Sequence, residues 1–140
     1  KNDKFNGNGV ITYSNGDKYI GNFVDDRIEG NGTMLFNGGK KRYVGEFKKG
    51  VFEGNGKYFY SNGDRYEGEF KNNQKCGKGK IFYKSGVIFD GDFLDDKKNG
   101  NGIFYFDDGT TLKGQFKNNN KIGKFEFHKI NGQIETKIFD

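Results

Sequence analysis

The feature that constrains this chain most is a pair of glycines, one residue apart, that returns every 23 residues: Gly7/Gly9, Gly30/Gly32, Gly54/Gly56, Gly77/Gly79 and Gly100/Gly102. One step is 24 residues, and a last half-pair keeps Gly123 but has Phe125 in the second place. Three further columns keep step. A second glycine follows at Gly16, Gly39, Gly63, Gly86, Gly109 and Gly132. Aromatic-glycine-aromatic triplets follow at Tyr19-Gly21-Phe23, Tyr43-Gly45-Phe47, Tyr66-Gly68-Phe70 and Phe89-Gly91-Phe93, with a weakened Leu112-Gly114-Phe116. A unit this short cannot bury its own apolar face, so such a chain folds by stacking copies of one supersecondary element. The extra residue of the longer step falls in "GGKKRY", where a turn absorbs it.

Each cycle reads as two strands and two breaks. In "KYFYSNGDRYEGEF", Lys57 to Phe70, the Asn-Gly between aromatic runs is a hairpin signal of the type I′ class. Polar stretches such as "KNNQKC", Lys71 to Cys76, then connect one hairpin to the next. Strand alternation puts Tyr66, Gly68 and Phe70 on one face and Glu67 and Glu69 on the other. The glycines are therefore expected to be sockets over which rings lie. Ile11/Tyr13, Met34/Phe36, Tyr58/Tyr60, Ile81/Tyr83 and Phe104/Phe106 should share the ring face. Stacked at about 10 Å per repeat, two strand spacings, the rings should form a ladder about 50 Å long. The expected fold is all-β: an elongated solenoid of about six tandem hairpins in one twisted antiparallel sheet. Its divisions are a partial repeat over 1–18, repeats starting at 19, 43, 66, 89 and 112, and a degenerate cap over 124–140.

Composition agrees. Hydrophobic residues make up 31% of the chain and aromatics 17%, so more than half of the apolar material is Phe or Tyr, which disfavours a helical core. The aromatics argue against disorder, and 24 glycines lack the three-residue period of collagen. A net charge of +5 is a modest basic bias. The single cysteine, Cys76, excludes an internal disulfide framework, and no apolar run reaches membrane-spanning length. A soluble, cytoplasmic protein is expected, and an opening inside a cycle points to a segment of a longer array.

In "YEGEF" (Tyr66 to Phe70) and "GNGKYFY" (Gly54 to Tyr60) the chain resembles the MORN (membrane occupation and recognition nexus) repeat family. It departs from that pattern in using Phe where Trp is common, and in its last cycle, with Phe125 for glycine, Lys129 for an aromatic and Glu135 in the tyrosine column. The resemblance implies a non-enzymatic scaffold at a membrane-cytoskeleton junction, peripheral rather than membrane-spanning, with self-association common. It also leaves open a targeting or regulatory segment of a larger enzyme such as a phosphoinositide kinase. Lys-Asn richness fits an AT-rich genome, as in protists including apicomplexans.

Chemistry-bearing constellations are scarce. Cys76 and His128 lie more than two repeats apart, too far for a catalytic pair. One Cys and one His cannot make a zinc site. The glycine pairs lack the third glycine and the helix of a nucleotide loop. "FDDGTT" lacks calcium-loop spacing, which leaves Asp107 and Asp108 as turn formers. No cofactor is expected. Glu46, Glu67, Glu69, Asp90 and Asp92 should form a solvated stripe on the face away from the rings. Two features are candidates for partner contact. Leu35, Phe59, Phe82 and Tyr105 form an apolar column on that opposite face, read either as a protein-binding or self-association surface or as residues covered by neighbouring strands. Lys40, Lys41, Arg42, Lys48, Lys49, Lys71, Lys75, Lys97 and Lys98, with Lys117 and Lys121, fall in the expected connections. There they would form a basic rim for an anionic phospholipid or acidic partner, unless they serve solubility beside Asp25, Asp26, Asp95 and Asp96. Nucleic acid is disfavoured because the rings that could stack bases are committed to the core.

Overall fold

Among the described residues each strand pairs only with its immediate neighbours in sequence, which leaves the first and last strands as the two edges of the sheet. The computed structural model describes residues 3–140 and contains one sheet of 12 strands in sequential order, all neighbours antiparallel. The strands are β1 (Gly7–Thr12), β2 (Lys18–Val24), β3 (Arg27–Phe36), β4 (Lys41–Lys48), β5 (Val51–Phe59) and β6 (Arg65–Lys71). They continue as β7 (Gln74–Phe82), β8 (Ile88–Leu94), β9 (Lys97–Tyr105), β10 (Thr111–Lys117), β11 (Asn120–His128) and β12 (Ile134–Phe139). The expected all-β meander is thus observed. A 3-10 turn at Asn37–Gly39 takes up the extra residue between β3 and β4.

The turns are the reverse of the sequence reading. Tight two-residue turns lie where connections between hairpins were expected. Asp25-Asp26, Asn72-Asn73, Asp95-Asp96 and Asn118-Asn119 all have positive φ at both residues, as has Lys49-Gly50, which is the type I′ requirement. The "SNGD" loops are wider. At Ser14–Asp17 only Gly16 has positive φ, its N–H donates to Tyr13 O, and Asp17 N–H donates to the Asn15 carboxamide oxygen. That is a type I turn closed by a glycine bulge. Asn-Gly tolerates either geometry, so the dipeptide alone did not discriminate between them.

The two glycines of each pair also have different tasks, where both had been expected to be sockets. Register shifts opposite Asn22, Glu46, Gly68/Glu69, Asp92 and Gly114 mark a bulge in every tight-turn hairpin. The first glycine of the pair forms that bulge with positive φ: Gly30 at 75°, Gly54 at 88°, Gly77 at 59°, Gly100 at 114° and Gly123 at 70°. The second glycine is the socket. A Cβ on Gly56 would come within 2.5 Å of the Tyr43 ring, and Gly32 and Gly79 stand in the same relation to Tyr19 and Tyr66.

The rings so seated make the core. Tyr19, Tyr43, Tyr66, Phe89 and Phe125 are fully buried. Tyr19 packs edge to face on Phe23 of its own strand and on Phe47 of the next repeat, at 5.2 and 5.1 Å between centroids. Tyr43 with Phe47 and Phe70, Tyr66 with Phe70 and Phe93, and Phe89 with Phe93 and Phe116 repeat that geometry. Phe116 then meets Phe125, and Phe125 meets Phe139. Each edge-to-face contact contributes about 0.5–1.5 kcal/mol beyond area burial. Because every second contact crosses a repeat boundary, the ladder makes the array one cooperative body.

Candidate functional site

Opposite three of the bulges an acidic side chain holds a bulge amide, and at two of them the same residue also receives the buried tyrosine hydroxyl. Glu46 accepts the Tyr43 hydroxyl at its carbonyl oxygen (2.8 Å), and its carboxylate accepts the Asn55 N–H (2.9 Å). Glu69 does the same for Tyr66 and Lys78. Asp92 accepts from Asn101 N–H and carries an ion pair with Lys78 on its other oxygen. The acidic residues stay on the solvent-accessible face as expected and have structural tasks besides: Glu46, Glu69 and Asp92 secure bulge amides, while Glu67 pairs with Arg65 at 2.5 Å and Asp90 with Lys80 at 4.0 Å. The Lys78 ammonium and the Asn101 amide hold the Asp92 carboxyl below its ordinary value.

Successive tight turns are stapled together. The side chains of Asp26, Asn73, Asp96 and Asn119 accept the backbone N–H of Phe5, Phe52, Lys75 and Lys98, 21 residues earlier. The opposite loops are tied once by Asp64, which accepts Lys84 N–H, and Asp108 holds Thr110 N–H and hydroxyl as the turn former expected.

The apolar column Leu35, Phe59, Phe82 and Tyr105 does lie on the face opposite the rings, but it is not continuous. Strand register interposes Arg42 between Leu35 and Phe59, Arg65 between Phe59 and Phe82, and Ile88 between Phe82 and Tyr105. The Arg42 guanidinium lies 3.9 Å from the Phe59 ring centroid, and that of Arg65 lies 4.0 Å from Phe82. Both rings are therefore covered on one side by cations.

The basic residues do not form one rim. Lys40, Lys41 and Arg42 belong to the β3–β4 end of the sheet, and Arg42 is a strand residue rather than a connection. Lys48, Lys49, Lys71 and Lys97 are exposed at the opposite end, as is Lys117, interleaved with Asp25, Asp26, Asp95 and Asp96. Lys75 and Lys98 leave that rim altogether and turn onto the ring face. They occupy the column held by Ile28 and Phe52 in earlier repeats. Phe52 stacks on Tyr43 at 3.8 Å and 5°. In the equivalent places, Lys75 brings its ammonium 5.7 Å from the Tyr66 centroid and Lys98 brings its own 5.1 Å from Phe89. Lys121, next in the column, lies 5.6 Å from Phe104 and 5.5 Å from Phe139. The lysine stems are lids over the buried rings. Periodicity was the available signal: Phe5, Ile28, Phe52, Lys75, Lys98 and Lys121 share one phase.

The ring face thus offers a row of half-buried aromatics, Phe36, Tyr60, Tyr83 and Phe106, flanked in the later repeats by the lysine lids. At its far end a cleft of about 490 Å³ is lined by Leu112, Lys121, Phe125, Phe127, Lys137 and Phe139, among others. The catalytic candidates stay apart. Cys76 is in β7, with its thiol pushed up by burial and by Glu69, the opposite of nucleophile activation. His128 is in β11 at 3.0 Å from Glu126. Among the described residues, no group of three His, Cys, Asp or Glu is arranged to hold a metal ion, and no helix is long and apolar enough to cross a membrane.

The chain matches none of the curated proteins compared with it. Among solved structures it is similar, at 23% identity over 94% of this chain and 90% of the other, to the SAS-4 (dCPAP) TCP domain of Drosophila melanogaster in complex with a proline rich motif of Ana2 (dSTIL), with a TM-score of 0.36. A second, the TCP10c domain of Drosophila melanogaster Sas-4, is 18% identical over 92% of this chain and 97% of that one, with a TM-score of 0.27. The MORN repeat profile matches residues 1–18, 19–41, 43–65, 66–88 and 89–111. With its triplets, bulge glycines and socket glycines in the same phase, the chain belongs to the MORN repeat family.

Proposed function

We propose that this chain is a non-enzymatic scaffold whose ring face receives a protein segment, in a protein held peripherally at a membrane or the cytoskeleton. MORN repeats are modules for protein and membrane interaction. The observation that carries the reading is the row Phe36, Tyr60, Tyr83 and Phe106: half-buried rings on a sheet of a single layer, in which no second sheet or helix packs over them among the described residues. Apolar rows of this extent on a rigid support are contact surfaces. The opposite column of Leu35, Phe59, Phe82 and Tyr105 is the weaker candidate because arginines already cover two of its rings.

Affinity capture with the intact protein, compared across two variants, distinguishes the faces. Tyr60→Ser with Tyr83→Ser should abolish retention of a defined partner, while Phe59→Ser with Phe82→Ser should leave it intact. Equal capture by both variants, or the opposite pattern, sinks the reading.

A further inference from the structure

The lysine lids are not equivalent. Lys75 is satisfied: its ammonium lies 3.5 Å from the Asp96 carboxylate and donates to the Tyr60 hydroxyl at 3.0 Å. One repeat on, the residue in the position of Asp96 is Asn119, which holds Lys98 N–H just as Asp96 holds Lys75 N–H but brings no charge. Among the described residues neither Lys98 nor Lys121 has a carboxylate in ion-pair range. Lys98 is half-buried against Tyr83, Phe89 and Phe104. Its ammonium is held below the ordinary lysine range by that burial and then by the charge of Lys75. Two unneutralised cations therefore flank one ring, Phe104, at 5.8 and 5.6 Å from its centroid. A partly desolvated cation between aromatic faces is a preformed seat for an anion.

Spacing selects the anion's carrier. Equivalent residues of consecutive repeats are two strands apart, about 9.4–9.8 Å. A β-extended peptide returns a side chain to the same face at about 6.6 Å or 13 Å, matching neither. A polyproline II helix returns one every three residues, at about 9.3 Å. An α-helix with acids seven apart gives about 10.5 Å, which drifts further from register with each repeat. The aromatic row Tyr60, Tyr83 and Phe106 runs beside the lysines with the same period, and aromatic-lined grooves suit polyproline II ligands.

Taking the ring face as the contact surface just proposed, we infer that Lys98 and Lys121 form a receptor for an acidic partner segment in polyproline II conformation, one carboxylate per turn on each lysine and apolar residues between them against Tyr83, Phe104 and Phe106.

The probe is a labelled (Glu-Pro-Pro)5 peptide titrated by fluorescence anisotropy against the intact chain. The comparison peptides are (Gln-Pro-Pro)5 and a helical peptide with Glu at every seventh residue. Comparison variants are Lys98→Met with Lys121→Met, which keeps the aliphatic lids, and Lys78→Met with Lys113→Met on the opposite face. The proposal expects binding of the Glu-Pro-Pro peptide that weakens tenfold or more in the lid variant, falls with added salt, and is unchanged in the opposite-face variant. No binding, equal binding of the Gln peptide, or no effect of Lys98→Met with Lys121→Met overturns it. Tighter binding of the helical peptide overturns it in favour of a helical partner. Sedimentation with phosphatidylserine vesicles that depends on Lys98 and Lys121 while the peptide does not bind overturns it in favour of a lipid surface. If the peptide fails while capture still depends on Tyr60 and Tyr83, this inference falls and the scaffold reading stands. If capture is independent of those tyrosines, the scaffold reading falls as well.

Discussion

Phe125 of β11 lies directly over the backbone of Gly114 in β10, so close that a Cβ on Gly114 would come within 2.6 Å of three of its ring carbons. In earlier repeats the ring comes from the other strand: Tyr43 lies over Gly56, and Tyr66 over Gly79. The last hairpin has exchanged the two. Leu112 replaces the socketed ring, and Phe125 replaces the socket glycine and supplies a ring in return.

That exchange predicts a rescue. Phe125→Gly restores the pattern of the other repeats at one position but empties the hollow, and should cost about 3–5 kcal/mol, as core Phe truncations do. Adding Leu112→Tyr, which refills the hollow from β10, should recover most of the loss even though Leu112→Tyr alone should clash with Phe125 and destabilise. A double-mutant cycle by urea denaturation reads the coupling. Simple additivity would show that the two positions do not share one site.

The division of labour within each glycine pair predicts an asymmetry. Gly56→Ala places a methyl within 2.5 Å of the buried Tyr43 ring and should cost about 3 kcal/mol or more. Gly54→Ala meets only the Glu46 carboxylate at 3.0 Å, on a side chain that can move, and should cost about 1–2 kcal/mol for its φ of +88°. Equal losses in the two variants would contradict the separate roles.

Much of this was legible in the sequence, for a definite reason. Strand alternation and a fixed period place Tyr66, Gly68 and Phe70 on one face without reference to any long-range contact, and the structure finds them so. Turn type was not legible: Asn15-Gly16 permits both a type I′ turn and a bulged type I turn. Asp25-Asp26 and Asn72-Asn73 are less common in left-handed backbone and read as plain polar connections. Placing the turns wrongly then misplaced Lys75 and Lys98, which are strand residues one step inside the turn, so that alternation carries them onto the rings. The bulge was hidden as well, and with it the task of Glu46, Glu69 and Asp92.

The tight turns contain one misfit. Lys49 holds φ at 50°, where Asn and Asp serve in the other hairpins, and a lysine gains no local hydrogen bond there to offset the crowding of its Cβ. Lys49→Asn, giving Asn-Gly in a type I′ turn, should stabilise by about 0.5–1 kcal/mol. Thermal unfolding should show a higher Tm. A lower Tm would mean that the Lys49 stem supports packing beyond its turn.

Tyr66 and Phe89 are equivalent rings, and only Tyr66 reaches the carbonyl opposite the bulge, through a 3.0 Å hydrogen bond to Glu69 O. Phe89→Tyr should add the missing bond, to Asp92 O, and stabilise by about 0.5–1.5 kcal/mol, while Tyr66→Phe should lose a similar amount. Destabilisation by Phe89→Tyr would show that its seat lacks room for the hydroxyl.

Acid should loosen the array partly through Asp92. Lys78 and the Asn101 N–H lower its carboxyl pKa from the ordinary 3.8. A group depressed in the folded state contributes stability that is present above its unfolded pKa and is lost as pH falls through the folded one. The urea midpoint should therefore hold from neutrality to about pH 5 and decline below about pH 4. Asp92→Asn should lower the midpoint at pH 7 and flatten the decline, because the variant no longer binds a proton there on unfolding. Lys78→Met should likewise flatten the decline, since Asp92 then loses the partner that does most to depress it and its folded and unfolded pKa values draw together. An Asp92→Asn profile running parallel to that of the parent chain across the whole range would place the acid sensitivity elsewhere.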